Sequence, residues 1–360
     1  MPALEGARGI AALGVLAFHV GVPGSSRLWL GVPLFFLLSG FLLFRPFARA
    51  IIEATPLPSL RRYGRARLLR IVPAYWVVLT FLIVDEGLYP GGRHAIPIWH
   101  LAAHYLLIYT LFDLGSIVGG GWTLCVEVAF YAALPLFALA VSAITRPLTN
   151  RRQRTLLLAL TLLPAFPVSQ WYMENEGFGS GWLPPWLPGY LDEFAIGMLL
   201  AIFLEVRPRL SLVASRMLLV SGVLLGVGAQ WLYTFGSLDP YGNGSGAGYS
   251  RVMELAFAFV LASVLARGES TVLGRLLASR LLLGAGTVSY AVYLWNLAVI
   301  DRLRGTGLWF DNWAGLVLAT AAVLLIARTS WVLIERPALR LKDARPRVTS
   351  YTAALTKSTS

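Results

Sequence analysis

Arg8 and His19 stand eleven positions apart in an otherwise apolar run that begins at Gly6. Eleven residues at about 100° each make close to three helical turns, so both side chains leave one face of a helix, roughly 16 Å apart along its axis. A guanidinium keeps its charge in any environment and grips phosphate with two N–H groups at once. An imidazole at mid-membrane depth accepts a proton near neutral pH. The plainer alternatives stay open: Arg8 snorkelling to a lipid phosphate, and His19 bonded between two helices.

A second set lies further along. In Trp122-Thr-Leu-Cys-Val-Glu-Val-Ala-Phe-Tyr131, Glu127 precedes Tyr131 by one turn on the same face. A carboxylate inside a span needs a partner, whether an imidazole to orient, a hydroxyl substrate or an arginine. Ser39 suits close helix packing as well as a substrate contact. Arg67 and Arg70 follow as further candidate phosphate ligands. Asp192 and Glu193 read as residues of the membrane interface, and Tyr290, Tyr293 and Asn296 as packing positions at near-helical spacing. No metal site is expected.

Composition says what must position these groups. Of 360 residues 57% are hydrophobic and 13% charged, and the mean hydropathy is +0.68, which places the chain in the polytopic membrane class. Ten apolar stretches are long enough to span a bilayer core of about 30 Å, at 4–22, 28–44, 68–84, 122–144, 156–172, 186–204, 217–235, 252–266, 281–300 and 313–334. Alternate loops are basic. Arg45, Arg49, Arg61, Arg62, Arg65, Arg67 and Arg70 follow the second stretch, and Arg146, Arg151, Arg152 and Arg154 the fourth. The intervening loops carry Asp85, Glu86, Asp113, Glu174, Glu176 and Asp239 instead. That alternation predicts cytoplasmic termini, and it explains the net charge of +12 without nucleic acid.

The run 96–112 is apolar enough to tempt an eleventh crossing, but counting it would invert every later loop. It is expected to lie against or dip into the outer leaflet. Glu5, His19 and the unsuitable cleavage site Val22-Pro23-Gly24 argue for a retained first helix over a removed signal peptide. The fold expected is all-α, with about ten spans in residues 1–341, a flexible Gly-rich outer loop at 241–249 and a basic, disordered cytoplasmic tail at 342–360. Cys125, alone, forms no intrachain disulfide.

Taken in order, several segments resemble the signatures of the membrane acyltransferase-3 family. They are Leu4-Glu-Gly-Ala-Arg-Gly-Ile-Ala-Ala-Leu13 with His19, Gly31-Val-Pro-Leu-Phe-Phe-Leu-Leu-Ser-Gly-Phe-Leu42, and Arg65-Ala-Arg-Leu-Leu-Arg-Ile-Val-Pro-Ala-Tyr-Trp76. The Trp122–Tyr131 segment, Ser289-Tyr-Ala-Val-Tyr-Leu-Trp295 and Ile334-Glu-Arg-Pro337 complete the series. The resemblance implies a bacterial inner-membrane O-acyltransferase that moves an acetyl or other short acyl group from acyl-CoA, bound only as donor substrate. The implied acceptor is a hydroxyl of a carbohydrate, lipid, cell-envelope component or secondary metabolite. It also marks Arg8 with His19 as the functional hallmark and implicates Glu127. The chain departs from the pattern at Asn296, where many members have histidine, so an acid–base role there is in doubt.

The expected mechanism holds the donor phosphates on Arg8, with Arg67 and Arg70, and brings the thioester to His19. His19 then deprotonates the acceptor or takes the acyl group itself, with Glu127 orienting the imidazole and Ser39 and Tyr131 contacting substrate. A proton-coupled secondary transporter of an anionic or sugar-like substrate is the competing reading: His19 and Glu127 would relay protons and Arg8 would bind substrate.

Overall fold

The computed structural model describes residues 1–175, 183–234, 245–306 and 313–341. The tail at 342–360 and residues 241–244 of the Gly-rich stretch lie outside the described residues, while 245–249, expected as flexible loop, form the start of a helix. The helices are α1 (Pro2–Val20), α2 (Gly31–Ile52), α3 (Leu60–Glu86), α4 (Ile98–Tyr105), α5 (Trp122–Thr145), α6 (Arg151–Leu160), α7 (Ala165–Glu174) and α8 (Leu191–Val206). They continue with α9 (Leu212–Thr234), α10 (Ser245–Arg267), α11 (Val272–Leu277), α12 (Arg280–Thr287), α13 (Ser289–Gly305), α14 (Trp313–Ser330) and α15 (Arg336–Arg340), the last two joined by a π turn at Trp331–Glu335.

Among the described residues, nine helical segments are long and apolar enough to cross a membrane, and ten if α12 and α13, bent by 69° at their junction, count as one. Lipid contact shows in the side chains. On α9, Val213, Met217, Val220, Leu224, Val227 and Trp231 form one stripe at spacings of three and four, each more than half exposed. Water would not tolerate such a face on a monomer; a bilayer core requires it. Helices suit that medium because their backbone groups bond within the segment.

α2 runs along α8, α9 along α10, and α1 packs against α12 and α13. Small residues set the closest approaches. A Cβ at Gly197 would lie 2.0 Å from Leu37 O, and one at Gly286 2.0 Å from Glu5 O. The backbones therefore meet where only glycine fits, the packing mode membrane helices use in place of a hydrophobic drive. Phe41, Phe44, Phe47 and Phe194 fill the centre between α2, α5 and α8.

The run expected at 96–112 is not one helix. α4 has 8 residues, too short to cross a bilayer, and it gives way to Leu107 at φ 57°, a 3-10 turn at Tyr109–Phe112, and Asp113 at φ 53°. The segment is tied to α3: Tyr75 OH donates to His104 O at 3.0 Å, and Trp76 Nε1 to Tyr105 O at 2.9 Å. Asp192 is a correction of another kind. Expected as a residue of the membrane interface, it is buried among helices, ion-paired with Arg251, and accepts Ser169 Oγ at 2.6 Å.

Candidate active site

Two polar centres share α1. The first gathers around Arg8, in its second turn. Glu127 of α5 accepts Ser39 Oγ of α2 at 2.8 Å, and Tyr131 OH donates to the same oxygen, Oε1. Arg8 lies within electrostatic reach of Glu127, Tyr131 and Arg70, and its guanidinium stands 5.9 Å from the centroid of Phe35. Arg67, one α3 turn before Arg70, stands 6.0 Å from the ring centroid of Tyr131. Helix geometry thus gathers Ser39 of α2, Arg67 and Arg70 of α3, and Glu127 and Tyr131 of α5 around Arg8 of α1. All six are half-buried, while α3 and α5 turn apolar residues such as Leu68, Trp76 and Leu136 outward.

The cations of this centre sit against rings and lack hydrogen-bond or ion-pair partners. Several other arginines are engaged: Arg45 with Glu205 at 2.7 Å, Arg151 with Glu53 at 2.9 Å, and Arg65 with Leu341 O at 2.6 Å. Among the described residues, Arg8, Arg67 and Arg70 make no hydrogen bond or salt bridge, and Arg8 Nε and Arg67 Nε are buried without an acceptor. Tyr63 OH and Glu335 Oε1 are unpartnered in the same way. Three guanidinium groups without a hydrogen bond or salt bridge thus gather near the start of α1, close to the carboxylates of Glu127 and Glu335.

Glu335 is a residue the sequence did not single out beyond its motif. It is 6% exposed, ends the π turn and lies within electrostatic reach of Arg70 and Arg8. π turns recur at functional sites, but nothing in the local sequence announces one here.

The second centre is His19. It lies in the last turn of α1, before Gly21 closes the helix at φ 81°. Its Nδ1 is 2.6 Å from Asn296 Oδ1 of α13. The amide orientation follows from its other bonds: Asn296 Nδ2 donates to Tyr293 O at 2.5 Å and Val292 O at 3.3 Å. Oδ1 must then be the acceptor, so His19 Nδ1 carries the proton and Nε2 holds the free lone pair. Arg304 donates to His19 O at 3.1 Å. Glu127, expected to orient His19, does not touch it, being committed to Ser39 and Tyr131. Its place is taken by Asn296, the position where an acid–base role was in doubt.

Tyr293 links the centres. Its carbonyl anchors Asn296, its hydroxyl donates to Gly120 O at 2.9 Å and lies 2.6 Å from Thr123 Oγ1, and its ring meets Phe35 edge-on at 6.1 Å. Phe35 is also the ring beneath Arg8. Among the described residues no cluster of three or more His, Cys, Asp or Glu could hold a metal ion.

A family model described as an acyltransferase domain matches residues 1–332. The chain belongs to the acyltransferase-3 family. It is 28% identical to acyltransferase MdmB of Streptomyces mycarofaciens over 96% of this chain and 93% of that protein. It is 25% identical to "Putative peptidoglycan O-acetyltransferase YrhL" of Bacillus subtilis (strain 168) over 94% of this chain but only 54% of that protein's length. Nodulation protein 10 of Rhizobium leguminosarum bv. viciae is 24% identical over 87% of this chain and 83% of the relative. No solved structure matches significantly. The apolar helices and the family together make this a multi-pass membrane O-acyltransferase, and the residues that the sequence resemblance marks, Arg8, His19 and Glu127, fall in its two polar centres.

Proposed function

We propose that the protein transfers an acetyl or other short acyl group from acyl-CoA to a hydroxyl of a carbohydrate, cell-envelope component or secondary metabolite. It does so in the bacterial inner membrane, with both termini cytoplasmic and residues 96–112 on the outer side. Arg8, Arg67 and Arg70 carry this reading, because three inward guanidinium groups without a hydrogen bond or salt bridge suit the phosphates of a nucleotide donor. The pantetheine arm then follows α1 over the roughly 16 Å to His19, placing the thioester beside the imidazole.

His19 Nε2 takes the acceptor hydroxyl proton. The oxygen attacks the thioester carbonyl, the new C–O bond forms as the C–S bond breaks, and the CoA thiolate leaves with the proton held on His19. Asn296 keeps the proton on Nδ1 through the cycle and stabilises the imidazolium. Glu127, fixed by Ser39 and Tyr131, supplies the charge that steadies Arg8 beside the donor.

Liposomes containing the protein, acyl-CoA and a panel of hydroxyl acceptors test this. Acceptor-dependent release of free CoA thiol is the expected result. Substrate flux across the bilayer with no thiol released contradicts it and favours the transporter.

A further inference from the structure

The span read at 281–300 is broken at Val288, where the chain turns 69° from α12 into α13. A helix that begins inside a bundle shows its first N–H groups to protein rather than to water, so they need acceptors there. Those of α13 have none. Val288, at the N-cap, makes no side-chain cap bond, and the first backbone bond runs from Val292 N to Val288 O at 2.9 Å. Among the described residues the N–H groups of Ser289, Tyr290 and Ala291 make no hydrogen bond, although these residues are 0%, 8% and 0% exposed.

Ser289 supplies a separate observation. Its Oγ is buried with no hydrogen-bond partner, whereas Thr287, two residues earlier, satisfies its hydroxyl on Leu283 O at 2.8 Å. A Cα–Cβ bond tilts toward the helix N-terminus, so a hydroxyl on the first residue projects ahead of the turn, beside the free N–H groups. Side chain and backbone therefore offer donors to one side.

That side adjoins the Arg8 centre. Tyr290 OH donates to Ile71 O, next to Arg70, at 2.9 Å, and a Cβ at Gly9, next to Arg8, would lie 2.9 Å from Gly286 N. Val288 and Ala291 pack with Ala12 and Leu16, so α13 begins beside α1 about one turn past Arg8, on the way to His19. Glu127 and Glu335 lie within electrostatic reach of Tyr290, and Glu5 lies against Gly286. None of these carboxylates bonds to the first turn. The positive end of a helix with free N–H groups is a ready phosphate site, and broken membrane helices hold anionic groups in this way.

We propose that Ser289 and the first turn of α13 form a phosphate subsite beyond Arg8, and that it takes the phosphate at the head of a phosphopantetheine arm. Arg8, Arg67 and Arg70 then face the remaining phosphates of the nucleotide, and the arm leaves directly toward His19. The proposal rests on the acyl-donor reading for the identity of the arm, not for phosphate binding.

Equilibrium binding of 4′-phosphopantetheine and of pantetheine to the full chain in nanodiscs, with no acyl group and no acceptor present, tests it. Wild type is expected to prefer the phosphorylated form by about tenfold or more, and Ser289→Ala to lose about three- to tenfold of its affinity for that form alone. Ser289→Asp, which puts a carboxylate where the phosphate would sit, is expected to abolish the preference while melting no lower than Ser289→Ala, because an acidic group suits a helix start. No preference in wild type, or one that survives both substitutions, overturns the proposal, as does a Ser289→Asp protein that melts below Ser289→Ala. Loss of the preference in Arg8→Gln while both Ser289 variants keep it leaves the donor reading standing and removes this subsite from it. A Ser289-dependent preference in a protein that never releases CoA thiol contradicts the acyl-transfer reading alone.

Discussion

His19 Nδ1 and Asn296 Oδ1 lie 2.6 Å apart across 277 residues of sequence, and that contact leaves Nε2 as the imidazole nitrogen with a free lone pair. Asn296→Ala is expected to lower kcat about 10–100-fold with little change in donor KM, the usual cost of losing a group that orients a catalytic imidazole. Asn296→Asp, which keeps an acceptor at the same place, should retain much more activity. Steady-state kinetics on the two variants check this, and equal kcat for both contradicts it.

The unpaired arginines predict a phosphate-specific defect. Arg8→Gln, Arg67→Gln and Arg70→Gln should each raise the KM for acyl-CoA by about tenfold or more, since a charge-assisted bond is worth about 1.5–3 kcal/mol. With S-acetyl-pantetheine, which lacks the nucleotide phosphates, the variants and wild type should converge. Arg8→Lys should restore only part of the loss, because an ammonium cannot make the bidentate bond.

Glu127 accepts from Ser39 and Tyr131 on one oxygen. Tyr131→Phe is expected to cost about 1.5–3 kcal/mol as one bond to a charged group is lost. Thermal unfolding in detergent reads it, and the same substitution in a Glu127→Gln background should cost clearly less.

Close helix contact gives a prediction independent of chemistry. A Cβ at Gly197 would fall 2.0 Å from Leu37 O, whereas one at Gly228 meets nothing within 4 Å. Gly197→Ala should therefore destabilise by about 1–3 kcal/mol and lower the yield of folded protein, while Gly228→Ala leaves both unchanged.

Much of the architecture is legible in the sequence because lipid imposes long apolar runs. The departures arise where local backbone events interrupt such a run. The stretch at 281–300 reads as one span, but helix α12 ends at Val288 and the chain turns 69° into α13. The run at 96–112 is apolar throughout, yet two residues at positive φ, Leu107 and Asp113, fold it back on α3, which hydropathy cannot register.

The site divides in the same manner. Arg8 and His19 sharing a helix follows from their eleven-residue spacing alone. Their partners do not, since Ser39 meets Glu127 across 88 positions and His19 meets Asn296 across 277. Such pairs are set by which helices pack. Polarity alone suggested Glu127 for His19, while the fold joins Glu127 to Ser39 and gives the imidazole to an asparagine whose amide is pinned by two carbonyls.

The most direct measurement is the acceptor-dependent kcat of reconstituted His19→Gln beside wild type, with CoA thiol release as the signal and donor affinity measured in parallel. A base acting through Nε2 predicts a fall of about 10²–10⁴-fold at nearly unchanged donor affinity. Transfer by His19→Gln within about twofold of wild type would contradict a catalytic role for His19.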